Sequence, residues 1–313
     1  LFLSSLAVGT IITMSSFHWL MAWTGLEINT LAIIPIMTKP HHPRATEAAT
    51  KYFLTQAAAS AMILLASSIN AWYTSQWDIT QLTNQLSCAL MTAALAMKLG
   101  LAPVHFWLPE VMQGTSIKTA MIITTWMKLA PMTLLLLIHN SLNHTTLLTL
   151  GTMSILIGGW GLNQTQLRKI MGFSSISHLG WMTMIITLAP TLTILNLTVY
   201  ITMTLTMFLL LTSTQSKTTQ NMTTWMTTPI SPALTTLTLL SLGGLPPLTG
   251  FMPKWLILQE LVSQQIILIA TIAAISSLLN LFFYLRLSYI STLTASPNTT
   301  SMSTKWRFKQ LTQ

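Results

Sequence analysis

Ala96-Met-Lys-Leu-Gly-Leu-Ala-Pro-Val-His-Phe-Trp-Leu-Pro-Glu110 places a lysine, a histidine and two prolines in or beside a run that otherwise reads as a membrane helix. An ionisable group in a spanning segment costs from a few to more than ten kcal/mol, and persists mainly where it faces protein, a partner or water. Lys98 therefore needs a reason. Pro103 lacks the N–H that would close a helical hydrogen bond, so the helix is expected to break beyond Lys98. Broken backbone at membrane depth is tolerated only inside protein or along a hydrated cavity. Lysine and break together predict a buried polar site.

The surrounding composition agrees. Of 313 residues, 51% are hydrophobic and 6% charged, with a mean hydropathy of +0.62. A soluble domain carries charge on roughly a quarter of its residues. The fold class expected is an all-α polytopic membrane protein. The formal charge of +9 would suggest nucleic acid in a soluble chain, but here it is read by its position relative to the spans. Cys88 is the one cysteine, so no internal disulfide and no cysteine-based metal or iron–sulfur site is expected. His41 and His42 lie in a loop without further metal ligands. No dinucleotide or phosphate-loop glycine motif occurs, so no cofactor and no metal is expected on this chain. The chain opens at Leu1 inside an apolar run and closes on a polar tail, the pattern of a fragment trimmed at both ends.

A span needs about 20 mostly apolar residues. That rule yields about ten: 1–17, 19–38, 47–69, 85–107 with a break, 118–139, 145–161, 169–188, 191–212, 230–262 with a break, and 264–293. Residues 1–293 are expected to form one transmembrane domain, and 294–313 a polar segment on the basic side. Alternate connections hold Lys39 and Arg44, Lys118 with Glu110, Arg168 and Lys169, Lys217, and finally Lys305, Arg307 and Lys309. The opposite set holds Asp78, Glu260 and no basic residue, which is the positive-inside signature.

The second break is Leu242-Gly-Gly-Leu-Pro-Pro-Leu-Thr-Gly-Phe-Met-Pro-Lys254, where Gly243, Gly244, Pro246 and Pro247 cannot continue a helix. Again a lysine lies beside the interruption. Interrupted segments at corresponding places in two halves point to an inverted-repeat transporter with its site at the interruptions. The halves would be about 1–139 and 145–293, with Lys98 and Lys254 in the fourth span of each and the two broken spans running in opposite directions.

Further polar groups fall inside the spans. Glu27 sits near the middle of the second, where a nearby lysine would hold it charged; the plainer reading is an ion pair locking two helices. Lys128, about seven residues into what reads as an uninterrupted apolar helix, cannot easily reach a surface. Desolvation favours the neutral amine, which turns a fixed charge into a proton carrier. The plainer reading of Lys98 and Lys128 is satisfaction by carbonyls freed at Pro103 or Pro131. His105 and His178 are candidates to bridge relay steps or to pack by hydrogen bonds. Lys254 is a candidate exit group or a lysine at a span end, and Arg286 an interface anchor.

Six segments carry a family resemblance: Trp23-Thr-Gly-Leu-Glu-Ile-Asn29, Pro43-Arg-Ala-Thr-Glu-Ala-Ala-Thr-Lys-Tyr-Phe-Leu-Thr-Gln56, Lys98–Glu110, Gly161-Leu-Asn-Gln-Thr-Gln-Leu-Arg-Lys169, Ser174-Ser-Ile-Ser-His-Leu-Gly-Trp181 and Leu242–Phe251. They cover nearly the whole chain, which resembles the antiporter-like, mitochondrially encoded membrane-arm subunits of NADH:ubiquinone oxidoreductase (respiratory complex I), the subunit 2 branch in its vertebrate forms most of all. The resemblance implies two inverted five-helix repeats, each with a proline-broken helix, in the mitochondrial inner membrane, and proton translocation coupled to electron transfer from NADH to ubiquinone. It matches the family's axis glutamate to Glu27, its broken-helix lysine to Lys98, the next helix's lysine to Lys128 and the second-repeat lysine to Lys254. His105 falls at a histidine the family also carries. NADH, FMN, iron–sulfur clusters and ubiquinone are implied elsewhere in the complex. The partners implied are neighbouring antiporter-like chains and lipid, with no nucleic acid. Two other readings remain open: a subunit of a cation/proton antiporter, and a structural scaffold whose buried charges only fix packing.

Overall fold

The computed structural model describes residues 2–219 and 230–293, and there every regular element is helical. In chain order they are α1 (Phe2–Ser15), α2 (Trp19–Thr38), α3 (Pro43–Thr74), α4 (Gln85–Leu99), α5 (Trp107–Gly114), α6 (Ile117–Thr124), a 3-10 turn (Trp126–Lys128), α7 (Leu129–Leu137), α8 (His144–Gly158), a second 3-10 turn (Gly159–Asn163), α9 (Leu167–Ile185), α10 (Pro190–Thr214), α11 (Ile230–Gly243), α12 (Phe251–Ser263) and α13 (Ile267–Leu293). Among the described residues, six helical stretches are long and apolar enough to cross a membrane. The 294–313 segment, with Lys305, Arg307 and Lys309, lies outside the described residues.

Local chemistry sets the helix ends. His42 caps α3, its Nδ1 accepting from the Arg44 N–H at 3.2 Å, and Pro43 occupies the first position, where its missing N–H costs nothing. The helix runs to Thr74, longer at both ends than the 47–69 span predicted. Apolar side chains cover the outside: Trp72 is 88% exposed and Ile275 66%. Such a surface suits hydrocarbon and would aggregate in water. The exception is α9, buried along nearly its whole length, with Ser174, Ser175, Ser177 and Thr183 turning their hydroxyls onto carbonyls of its own preceding turn.

Both predicted breaks are present, and they close alike. Gly100 (φ +77°) ends α4, with Gly100 and Leu101 both donating to the Ala96 carbonyl at 2.9 Å. Gly244 (φ +82°) follows α11, with Gly244 and Leu245 both donating to the Leu240 carbonyl at 3.1 and 3.4 Å. The Leu101 and Leu245 bonds, together with those from Gly100 to the Met97 carbonyl at 3.2 Å and from Gly244 to the Ser241 carbonyl at 3.0 Å, make a Schellman closure, whose left-handed residue is glycine because a Cβ is penalised there. Pro103 lies in the first spacer, 100–106, and Pro246 and Pro247 in the second, 244–250. The helices beyond begin Trp107-Leu-Pro-Glu110 and Phe251-Met-Pro-Lys254.

The charge segregation has a spatial counterpart. Arg44, Lys118 and Arg168, each in the first turn of a different helix, and Lys217 just after α10 line one recess. At another corner the α1–α2 and α3–α4 connections pair as an antiparallel bridge, His18 with Asp78. Gln166 and Thr218 make the same kind of bridge between the α8–α9 connection and the segment after α10.

Helix pairs α1/α2 and α8/α9 cross at glycines. A methyl at Gly25 would stand 2.8 Å from the Gly9 carbonyl oxygen, and one at Gly180 2.7 Å from that of Gly151. Small residues at a crossing let membrane helices approach closely. Gly180→Val should therefore cost about 1–3 kcal/mol by overpacking, read as a lower melting temperature of the detergent-solubilised protein. Thr198→Val on the exposed face of α10 should leave it unchanged.

Candidate proton-transfer site

Lys98 occupies the last turn of α4, two residues before the Gly100 closure, and is 6% exposed. Its ammonium has no hydrogen-bond partner among the described residues. Lys128 is 3% exposed and ends the 3-10 turn between α6 and α7, so the uninterrupted helix predicted around it is instead broken there. Its Nζ donates to the Tyr200 hydroxyl at 3.4 Å. Both lysines line one internal cavity with Asn29, Gln56 and Trp107. Its roughly 20 Å³ of space for water centres exceeds the 10–15 Å³ or so that one water needs. Gln56 Nε2, like Lys98 Nζ, is a buried donor without a partner.

Glu27 on α2 is half-buried. Its carboxylate accepts from Thr30 Oγ1 at 3.0 Å and Ser60 Oγ at 3.3 Å. It bears on Lys98 through space but makes no ion pair with it. The ion pairs among the described residues are Lys51 with Glu47 (2.6 Å) and with Glu110 (2.7 Å). The second ties α3 to the start of α5, and both lie at an exposed edge, where water leaves such pairs little net effect.

Tyr200 connects Lys128 to the second half of the chain. Its hydroxyl donates to the Thr124 carbonyl at 2.9 Å, and its ring packs against His178 with centroids 5.4 Å apart. The backbone of Leu242, at the end of α11, bears on His178. Lys254 reaches the same place from the far side of the break, donating to the carbonyls of Gly243 at 2.8 Å and Leu242 at 3.5 Å. Lys254 thus sits after its break whereas Lys98 sits before its own. The role foreseen for Lys98 and Lys128, satisfying freed carbonyls, falls to Lys254.

Lys98 and Lys128 thus share a cavity, and Lys128 connects in steps through Tyr200, His178 and the end of α11 to Lys254, with Glu27 acting on Lys98. His105 stands apart: its Nδ1 donates to the Pro103 carbonyl at 3.2 Å and its ring meets Phe106 and Trp160. Arg286, foreseen as an interface anchor, donates from Nη1 to the Leu162 carbonyl at the second 3-10 turn. Sequence reading missed Tyr200 and Gln56. A buried phenol needs a partner for its hydroxyl, and Tyr200 is the one tyrosine in an apolar, threonine-rich helix, which is the signal that was there. Among the described residues no cluster of three histidine, cysteine or acidic side chains is placed to hold a metal.

A protein family described as NADH:quinone oxidoreductase/Mrp antiporter, TM, matches residues 16–280, and one described as NADH dehydrogenase subunit 2 C-terminus matches 281–313. The NADH-ubiquinone oxidoreductase chain 2 of Xenopus laevis is 62% identical over 307 residues, 97% of this chain and 89% of that one. The chain belongs to the NADH-ubiquinone oxidoreductase chain 2 family. Among solved structures, respiratory complex I from Thermus thermophilus with bound aureothin contains a chain that superposes with a TM-score of 0.81 at 25% identity, over 91% of this chain and 68% of that one. A chain of the Mrp complex from Dietzia sp. DQ12-45-1b superposes at 0.82 and 18% identity, over 94% and 60%, a likeness of fold.

Trp107 gives this chain 2 family member a site that can be tested apart from its charges. The indole Nε1 donates to the Met97 carbonyl at 3.1 Å, next to Lys98, and its ring meets Tyr52 edge-on. Trp107→Phe keeps an aromatic ring and removes the donor. It should cost about 0.5–1.5 kcal/mol, the net contribution of one hydrogen bond, since the Met97 carbonyl keeps its bond from the Gly100 N–H at 3.2 Å; thermal unfolding of the intact complex measures it.

Proposed function

We propose that this chain is a membrane-arm subunit of proton-pumping NADH:ubiquinone oxidoreductase in the mitochondrial inner membrane, and that Glu27, Lys98, Lys128, His178 and Lys254 carry protons through it. The observation that carries this reading is the cavity shared by Lys98 and Lys128, continued through Tyr200 and His178 to the carbonyls that hold Lys254. A buried amine without full hydrogen bonding is poorly held in its charged form, which suits a group that takes up and releases a proton. Glu27, free of a direct ion pair, is placed to act on the charge of Lys98 through space. His105 lies beside the line and holds the first break. NADH, FMN, the iron–sulfur clusters and ubiquinone belong to other parts of the complex, and neighbouring antiporter-like chains and lipid surround this one.

About ten spans in two inverted repeats, near 1–139 and 145–293, complete the proposal. Three recurrences support it. The α1/α2 crossing at Gly9 and Gly25 has its counterpart in α8/α9 at Gly151 and Gly180. The His18–Asp78 bridge links the first and third connections of one half, as Gln166–Thr218 does in the other. The two breaks have the same closure and the same length. In that register Trp107 corresponds to Phe251 and Glu110 to Lys254. Residues 294–313 would continue on the basic side, facing the matrix.

Lys98→Met in the intact complex should greatly reduce protons pumped per NADH oxidised in sealed vesicles while the amount of assembled complex stays the same. Undiminished pumping would leave the scaffold reading standing instead.

A further inference from the structure

Tyr200 is 1% exposed, and its hydroxyl stands where α6 ends and the turn carrying Lys128 begins. The oxygen meets the Thr124 carbonyl at 2.9 Å, Lys128 Nζ at 3.4 Å and the Ser175 hydroxyl, whose own proton is given to the Gly172 carbonyl at 2.7 Å. A carbonyl only accepts and an ammonium only donates, so the single phenolic proton points at Thr124 and the lone pairs face Lys128. No other hydrogen bond is made by Lys128 Nζ among the described residues. The same ring packs on His178, the next titratable group along the line.

We propose that Tyr200 is the positioning residue of Lys128: its hydroxyl fixes the ammonium at the cavity wall and, while bonded to Thr124, prevents the proton from passing toward His178. This rests on the reading of Lys128 as a proton carrier. A hydroxyl that accepts a proton on one side must release its own on the other, and here that side ends at a carbonyl, which cannot pass a proton on. Transfer beyond Lys128 therefore requires the hydroxyl to turn off Thr124. Once it has turned, the Nζ–H bond of Lys128 breaks as an O–H bond forms at the phenol, and the phenol's original O–H bond breaks as that proton forms an N–H bond at a free ring nitrogen of His178. No charge remains on the tyrosine. Thr124 is the last residue of α6, so its carbonyl is among those a helix end leaves for an outside donor. The tyrosine thus couples the break in the α6–α7 rod to the orientation of the amine.

The test uses intact complex in sealed vesicles, comparing Tyr200→Phe, Lys128→Met and the double variant by pumping-coupled NADH:ubiquinone turnover, with a density map of the Tyr200→Phe complex. Tyr200→Phe removes one oxygen and keeps the ring. The expected result is turnover lowered about tenfold, the size of a lost hydrogen bond to a charged group. The double variant should be no slower than Lys128→Met, because a residue acting through Lys128 has nothing left to act on. An equal loss in both backgrounds, unchanged turnover, or failure of the Phe variant to assemble would each overturn the proposal in favour of a packing role. Where Lys128→Met alone abolishes turnover, the map decides: an amine displaced from α10 by an ångström or more upholds the proposal and an unmoved one refutes it. If Lys128→Met pumps normally, the relay reading fails, and the map still decides separately whether Tyr200 places the amine.

Discussion

Hydrocarbon offers no partner to a carbonyl that a broken helix has released, and this protein breaks its helices repeatedly. At each break a side chain from elsewhere supplies the missing donor. The Trp107 indole serves Met97 at the end of α4, the Tyr200 hydroxyl serves Thr124 at the end of α6, and the Lys254 ammonium serves Gly243 at the end of α11. Arg168 serves Thr115 after α5, and Arg286 serves Leu162 after α8. The traffic also runs the other way, since Ser154 accepts from the Ala102 N–H inside the first spacer at 3.1 Å. Most of these donors come from distant parts of the sequence, so the irregular backbone and the packing of the bundle stabilise each other.

That economy makes the exceptions informative. Lys98 Nζ and Gln56 Nε2 are buried donors without acceptors, and each such group costs about 1–3 kcal/mol, more when charged. The exposed Lys51 pairs do little to offset that cost. Stability alone would have replaced the amines with apolar residues. Departures from local satisfaction are where function is expected, and these two, among several in the described residues, line a water-sized cavity.

The sequence carried the two interruptions in full. Gly100 with Pro103, and Gly243–Gly244 with Pro246–Pro247, are local chemistry, and the chain breaks at both. The shared side of Arg44, Lys118, Arg168 and Lys217 was also legible, because it follows from counting spans. Hidden from it was everything decided by one helix meeting another. The turn at Trp126–Lys128 holds no proline or glycine of its own; Pro131 frees the Met127 carbonyl within it, but nothing local shows that Tyr200 reaches it from 76 residues away. Lys254 looks in sequence like a second Lys98, yet it stands on the far side of its break, in the first turn of α12. Glu27 was expected to pair with a lysine and instead takes hydroxyls from Thr30 and Ser60, since which faces of α2, α3 and α4 approach is not written in any one of them.

The deep placement of α9 has a consequence for how the protein tolerates change. A helix with a lipid-facing stripe can absorb substitutions there, because fluid acyl chains adapt to a new shape. With every side of α9 against another helix, its serines and Gly180 set the distances at which four or more neighbours stand. Natural variation should therefore be lowest along this helix, and an altered side chain near His178 would persist only together with a matching alteration in the helix it touches.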